Sequence, residues 1–308
     1  MRQLRLLACG VVCMTHGVLL AQQLPGTAPL ENTGDLASFM VSGIDNFLIG
    51  ELDASVGRRA QFWNRDLTTP GAYSKSIEPL RVELCQMIGV RGELVPFQSP
   101  SVIVTVDGLA DLNEPGARVS RQQIRWPVVD SLWGEGVLLT PVEGHSANAV
   151  LIPDADQTPE IFASKAAALV AAGCRVLVLR TVSRTSSKRN GRANLTNREY
   201  LHRPAFVLGR TLIGYETHMA LAAVNWFATA EPNKPVGCLG HGEGGLAALL
   251  AGAIDTRIST TCISGFFSQR EQSWQEPLDR NLFGLLKKFG GAELATMVAP
   301  RTFIVATN

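Results

Sequence analysis

The sequence offers almost no excess charge of either sign. Its formal net charge is +1 at pH 7, from 28 Lys and Arg against 27 Asp and Glu. Nothing electrostatic therefore favours a polyanion or an acidic lipid surface, and nucleic acid is not an expected partner. Patterns that hold metals or redox centres are also missing. None of the six cysteines forms a C-x-x-C pair, and no group of residues has metal-ligand spacing, so no metal or cofactor is expected. Cys9 and Cys13 lie near the start. Of Cys85, Cys174, Cys238 and Cys262, three fall in or beside apolar strand candidates, as buried free thiols or with one disulfide in an oxidising compartment. The apolar run 6–20 is broken by Thr15, His16 and Gly17 and is too short for a good membrane span. There is no internal repeat and no low-complexity tract.

What is present describes a globular chain. With 46% hydrophobic and 18% charged residues over 308 positions, it can bury a sizeable core. Residues 1–21 read as a secretory signal: Arg2 and Arg5 precede the apolar run, and cleavage near Ala21-Gln22 fits. The mature protein is then expected to be secreted or periplasmic, without a stable membrane span. Residues 22–100 form an N-terminal helical region. Asp35 is placed to cap a helix carrying Leu36, Phe39, Met40, Ile44, Phe47, Leu48 and Leu52 at helical spacing. Ser76 is placed to cap a second, with Ile77, Leu80, Leu84, Met87 and Ile88 on one face and Gly89 as its stop. Between them Arg58, Arg59, Trp63, Arg65 and Asp66 make either a charged surface anchored by one tryptophan or a substrate-facing edge.

Residues 101–308 change character. Strand-like pieces at 102–106 and 137–140 are followed by a strand–helix rhythm: strands at 148–153, 175–180, 235–239, 258–264 and 302–307, with helices at 159–172, 200–228, 244–254 and 293–298. Residues 183–197 are polar and basic and read as a loop. This alternation predicts an α/β domain, a mostly parallel sheet with helices on both faces.

The most informative segment is Gly240-His241-Gly242-Glu243-Gly244-Gly245, where an apolar strand enters a glycine-rich turn and an apolar helix leaves it. That is the setting of a nucleophile elbow. The residues two before and two after the apex must be small, because strand and helix approach closely there. An apex at Gly242 puts Gly240 and Gly244 at those positions, whereas an apex at Glu243 would put His241 at one of them. Glycine tolerates the strained apex backbone but supplies no nucleophilic oxygen or sulfur. A phosphate-binding loop is the competing reading, yet the segment has no Gly-Lys-Ser/Thr ending and no acidic strand end about 20 residues on. A purely structural tight turn is the other.

His241-Gly242-Glu243-Gly244-Gly245-Leu246-Ala247-Ala248-Leu249, with Asp255-Thr256-Arg257-Ile258 and Val298-Ala299-Pro300-Arg301, resembles the core of acetyl-xylan-esterase-like and dienelactone-hydrolase-like α/β-hydrolases. The resemblance spans roughly 135–308. It is closest to secreted members of planctomycete type, in which Asn197-Arg198-Glu199-Tyr200 and Ile213-Gly214-Tyr215-Glu216 have counterparts. It implies an α/β-hydrolase fold and a small-molecule or polysaccharide ester as substrate. The family's serine position holds Gly242. Its acid and histidine follow the strand at 302–307, so the resemblance implies a C-terminally incomplete domain, a degenerate one, or both.

Several groups remain as chemical candidates. The backbone N–H of Glu243 at the helix start and the turn Asp154-Ala155-Asp156 are placed to donate to an oxyanion, Ala155 and Asp156 with Glu243 forming the candidate ligand-binding set. Glu243 is a candidate general base, or simply a complement to the helix dipole. His241 is a candidate catalytic group, or part of the packing around the strand. Asp154 and Asp156 flank the cleft or serve turn chemistry. Ser264 and Ser268 are the nearest hydroxyls that could replace a missing nucleophile. His145, His202 and His218 have no metal spacing, and Tyr215 and Glu216 read as packing or surface groups. Two functions follow: an ester hydrolase working through Glu243, or a non-catalytic relative that binds a carbohydrate or ester.

Overall fold

The computed structural model describes residues 25–28, 31, 34–106, 118–188 and 194–306; residues 1–21, the expected signal, lie outside them. The chain divides into two compact units, 1–49 and 50–308. The first contributes the start of helix α1 (Leu36–Arg58). Asp35 caps it as its sequence position predicts, accepting from the N–H groups of Ala37 and Ser38 at 3.1 and 3.2 Å.

The second unit begins within α1 and continues through α2 (Pro70–Ser76) and α3 (Glu78–Ile88). Thr69, not Ser76, supplies the side-chain cap, on α2. The Ser76 hydroxyl bonds back to the Tyr73 carbonyl at 2.7 Å, and α3 starts without a side-chain cap. Gly89 ends α3 in the left-handed region, at φ 75°. Arg59 and Trp63 are anchors, not open surface: Arg59 Nε donates to the Leu286 carbonyl and Trp63 Nε1 to that of Lys288, both at 2.9 Å.

Eight strands form one sheet among the described residues: β1 (Ser101–Val106), β2 (Val119–Val129), β3 (Leu132–Pro141), β4 (Ala147–Ile152), β5 (Cys174–Leu179), β8 (Val236–His241), β9 (Ile258–Ser264) and β10 (Thr302–Ala306), in the order β1-β2-β3-β5-β4-β8-β9-β10. A short hairpin, β6 (Ser186–Lys188) with β7 (Asn194–Thr196), stands apart. From β5 to β10 every pairing is parallel; β1, β2, β3 and β5 pair antiparallel. Strand β2 was not expected, because Ser120, Arg121, Gln122 and Gln123 hide its alternation.

The central strands carry continuous apolar runs, 149–152 and 176–179, because both faces are covered there. Val150, Ile152, Leu177 and Leu179 face one core with α3, α7 (Leu212–Ala230), α8 (Glu243–Ile254) and α9 (Gly291–Val298). Ala149, Leu151, Val176 and Val178 face the other, with α4 (Pro159–Phe162) and α5 (Ala167–Ala171). The expected single helix 200–228 is two, α6 (Asn197–Val207) and α7, broken where Gly209 takes φ 67°. Arg301 secures the end of α8, donating to the carbonyls of Gly252, Asp255 and Ile258 at 2.6–2.9 Å. All four described cysteines are free thiols.

Candidate functional site

Strand β8 turns into α8 at Gly242, which adopts φ 57° and ψ −123°. L-residues reach that region only under strain. The size limits expected on either side are real. A Cβ on Gly240 would collide with the carbonyl of Gly244, and one on Gly244 with that of Ile152. The turn lies at the carboxyl end of the parallel strands, where open α/β sheets place their ligand sites.

The space in front of the apex is filled from within. A Cβ at Gly242 would stand 2.5 Å from Asp154 Oδ1 and 2.7 Å from its Cγ. Asp154 follows β4, and its Oδ1 accepts the Glu243 N–H at 2.8 Å. The neighbouring Ala155 N–H adds a smaller stabilisation of the same carboxylate's charge. The Glu243 N–H, expected to face an oxyanion, is thus engaged by the chain's own anion. Arg184 grips it from the other side in a two-point pair, Nη1 to Oδ2 and Nη2 to Oδ1, each at 3.0 Å. Burial raises the Asp154 pKa, but the Arg184 hydrogen bonds, the Glu243 N–H, the Arg184 charge and the Ala155 N–H outweigh it and bring it down to about 2.

Glu243 is 2% exposed in its side chain. Its Oε1 takes Arg184 Nη2 at 3.1 Å and Arg280 Nε at 2.5 Å, while its Oε2 is buried without a hydrogen bond. Behind it Arg198 is held by Glu216 through two bonds of 2.8 and 3.0 Å and by Asp279 at 2.7 Å. Asp156 is exposed and bonds Arg184 twice, at 3.0 Å each. Glu216, read from sequence as packing or surface, is a buried member of this network.

His241 is half-buried. Its Nδ1 lies 3.2 Å from Ser264 Oγ and its ring stacks on Phe162 with centroids 6.4 Å apart. Ser268 lines a cleft of about 400 Å³ beside the apex, with Gly242, Phe266, Phe267, Glu276 and Arg280. No group of His, Cys, Asp and Glu among the described residues is arranged to hold a metal ion.

Sequence reasoning missed Arg184 and Arg280 and met Arg198 only inside the segment 197–200, without a role. Arg184 sits in the stretch read as a polar loop, Arg198 opens a helix, and Arg280 lies in a short 3₁₀ turn. For Arg184 the available signal was the basic character of 183–197, which looked like a solvated face.

No protein-family model and no curated protein matches the chain. Solved structures do. A Bacteroides fragilis protein provisionally assigned as an acetyl xylan esterase superposes with TM-score 0.60 at 14% identity, over 78% of this chain and 69% of that one. A glucuronoyl esterase from Solibacter usitatus gives TM-score 0.53 at 14% identity, over 78% and 76%. A methylesterase gives TM-score 0.52 at 15% identity over 85% of this chain; the chain spans 55% of that protein's length. Sheet order, elbow and these similarities define the fold as that of the α/β-hydrolases. Among the described residues, no helix is long and apolar enough to cross a membrane.

Proposed function

We propose that the protein is an exported, non-catalytic α/β-hydrolase-fold protein of the esterase kind, which binds a carbohydrate or ester ligand without forming an acyl-enzyme. The observation that carries this reading is the position of Asp154. Its carboxylate occupies the space a serine side chain at 242 would need and accepts the Glu243 N–H that would otherwise face an oxyanion. Gly242 has no nucleophile to offer, and a carbonyl approaching the apex meets an anion. The esterase character of the structural neighbours supports a polysaccharide ester or its product as the ligand class. Export rests on the signal-like character of residues 1–21.

The alternative of water activation by Glu243 is disfavoured by its partners. A general base must exchange a proton near neutral pH, whereas one Glu243 oxygen is clamped by two guanidinium groups and the other is buried. The test is hydrolysis of p-nitrophenyl acetate by the full chain, beside calorimetric titration with acetylated xylo-oligosaccharide. Wild type and Glu243→Gln should both run at the buffer rate, with measurable oligosaccharide binding. Saturable turnover that disappears in Glu243→Gln would overturn the proposal in favour of the Glu243 route. Absence of binding together with absence of turnover would overturn the ligand-binding part.

A further inference from the structure

A second cavity, of about 700 Å³, opens between α6 and the segment 270–287 and shares Arg280 with the apex cleft, but not Gly242. Its volume falls in the range typical of small-molecule sites. Its wall has an unusual charge character for a chain with 28 basic and 27 acidic side chains. Arg203, Arg270, Arg280 and Lys287 all line it, and no Asp or Glu does. The carboxylates that pair with three of these cations, Glu199, Glu243 and Glu276, are not among the lining residues. Lys287 has no ion pair among the described residues. Arg270 is buried with its Nε lacking a hydrogen bond and no carboxylate oxygen nearer than 3.8 Å, and its guanidinium lies over the Phe266 ring at 5.0 Å.

Much of the rest of the lining is apolar and aromatic, beside His202, Ser273 and Asn281. Trp274 is 50% exposed and Phe283 78%. Phe206 meets Phe283 edge-on with centroids 6.3 Å apart. Exposed aromatic rings at the rim of a concave, cation-lined space bind flat apolar bodies and supply area at low entropic cost. The cavity is also preformed. The segment 270–287 is secured by Arg59, which pairs with Glu271 at 2.7 Å and donates to the Leu286 carbonyl.

We infer that this cavity is a binding site for a small aryl carboxylate, its ring seated among Trp274, Phe206 and Phe283 and its anion compensating the cations of the wall. The inference stands whether or not the elbow binds an ester ligand. None of the residues varied in its test touches Asp154 or Glu243.

The experiment is titration of the full chain, by calorimetry and tryptophan fluorescence, with 2-naphthoate and with 2-naphthamide, which has the same ring without the charge. Saturable 1:1 binding of 2-naphthoate is expected, with 2-naphthamide about tenfold weaker or more. Lys287→Gln should weaken 2-naphthoate several-fold and leave 2-naphthamide unchanged, at an unaltered urea midpoint. Trp274→Leu should weaken both. Equal affinity for the two compounds, indifference to Lys287→Gln, or no binding by about 10 mM would overturn the site. So would co-sedimentation with phosphatidylglycerol vesicles without 2-naphthoate binding, which would assign the aromatic rim to a lipid surface.

Discussion

The same central strands carry an ion network at each end, and the two networks are built differently. At the amino end, Glu231 closes α7 and gathers Arg175 from β5, Asn148 from β4, His145 and Lys234, at 2.6–2.9 Å. One carboxylate there meets a surplus of donors. Burial opposes its ionisation, but the bonds from Lys234, His145 and Asn148 and the Arg175 charge bring its pKa down to about 2. At the carboxyl end, Asp154, Asp156, Glu216, Glu243, Glu276 and Asp279 surround Arg184, Arg198, Arg270 and Arg280. Acids outnumber guanidinium groups, and Glu243 Oε2 is left buried without a hydrogen bond, its nearest cation Arg198 at 4.0 Å. The amino-end cluster closes the ends of the strands. The carboxyl-end cluster fills a place where the fold ordinarily leaves room for chemistry, and it does so incompletely. Buried polar atoms without partners are rare enough in native proteins to mark such places.

The comparison is broken most forcefully at Arg198, which is 1% exposed in its side chain. Arg198→Met leaves Glu216 and Asp279 buried without their shared cation. It should cost about 3–5 kcal/mol, the usual penalty for breaking a buried pair, read as a shift of the urea midpoint. Arg175→Met at the amino end should cost about 1–2 kcal/mol, because Lys234, His145 and Asn148 still serve Glu231. Equal losses would mean that the two ends are energetically alike.

A smaller effect belongs to the apex. Gly242→Ala adds a Cβ at positive φ against Asp154, and should cost about 1–3 kcal/mol. In the Asp154→Ala background the steric part disappears, so the double variant should lose less than the sum of the singles. Strict additivity would show that Asp154 does not occupy the apex.

The smallest effect sharpens the likeness between the ends. Asp154 and Glu231 both have folded pKa values near 2, below the roughly 3.9 and 4.3 of unfolded Asp and Glu. Their contributions are therefore complete above about pH 5 and disappear as pH falls toward 2. Asp154→Asn and Glu231→Gln should each flatten the acid limb of a stability–pH curve. A limb unchanged by either would remove that carboxylate from its network.

Local chemistry wrote much of this fold into the chain. Doubly apolar runs such as 149–152 and 176–179 announce strands covered on both faces, because side chains alternate between the faces of a sheet. Gly240, Gly242 and Gly244 announce the elbow, because only residues without bulk fit where backbone meets backbone. Gly89 and Asp35 mark helix ends through their own conformational and capping preferences. The position of the apex was likewise legible, since steric limits alone fix which glycine takes it. Tertiary structure decided what stands against it. Asp154, Arg184, Glu243 and Arg280 come from four separate segments, and a charge in sequence carries no mark of the partner it will meet in space. Strand β2 stayed hidden for the related reason that its polar residues are accommodated by its neighbours rather than announced by its own pattern. Short-range sterics and propensity belong to the sequence read in one dimension, whereas the pairing of distant charges exists only once the chain has closed on itself.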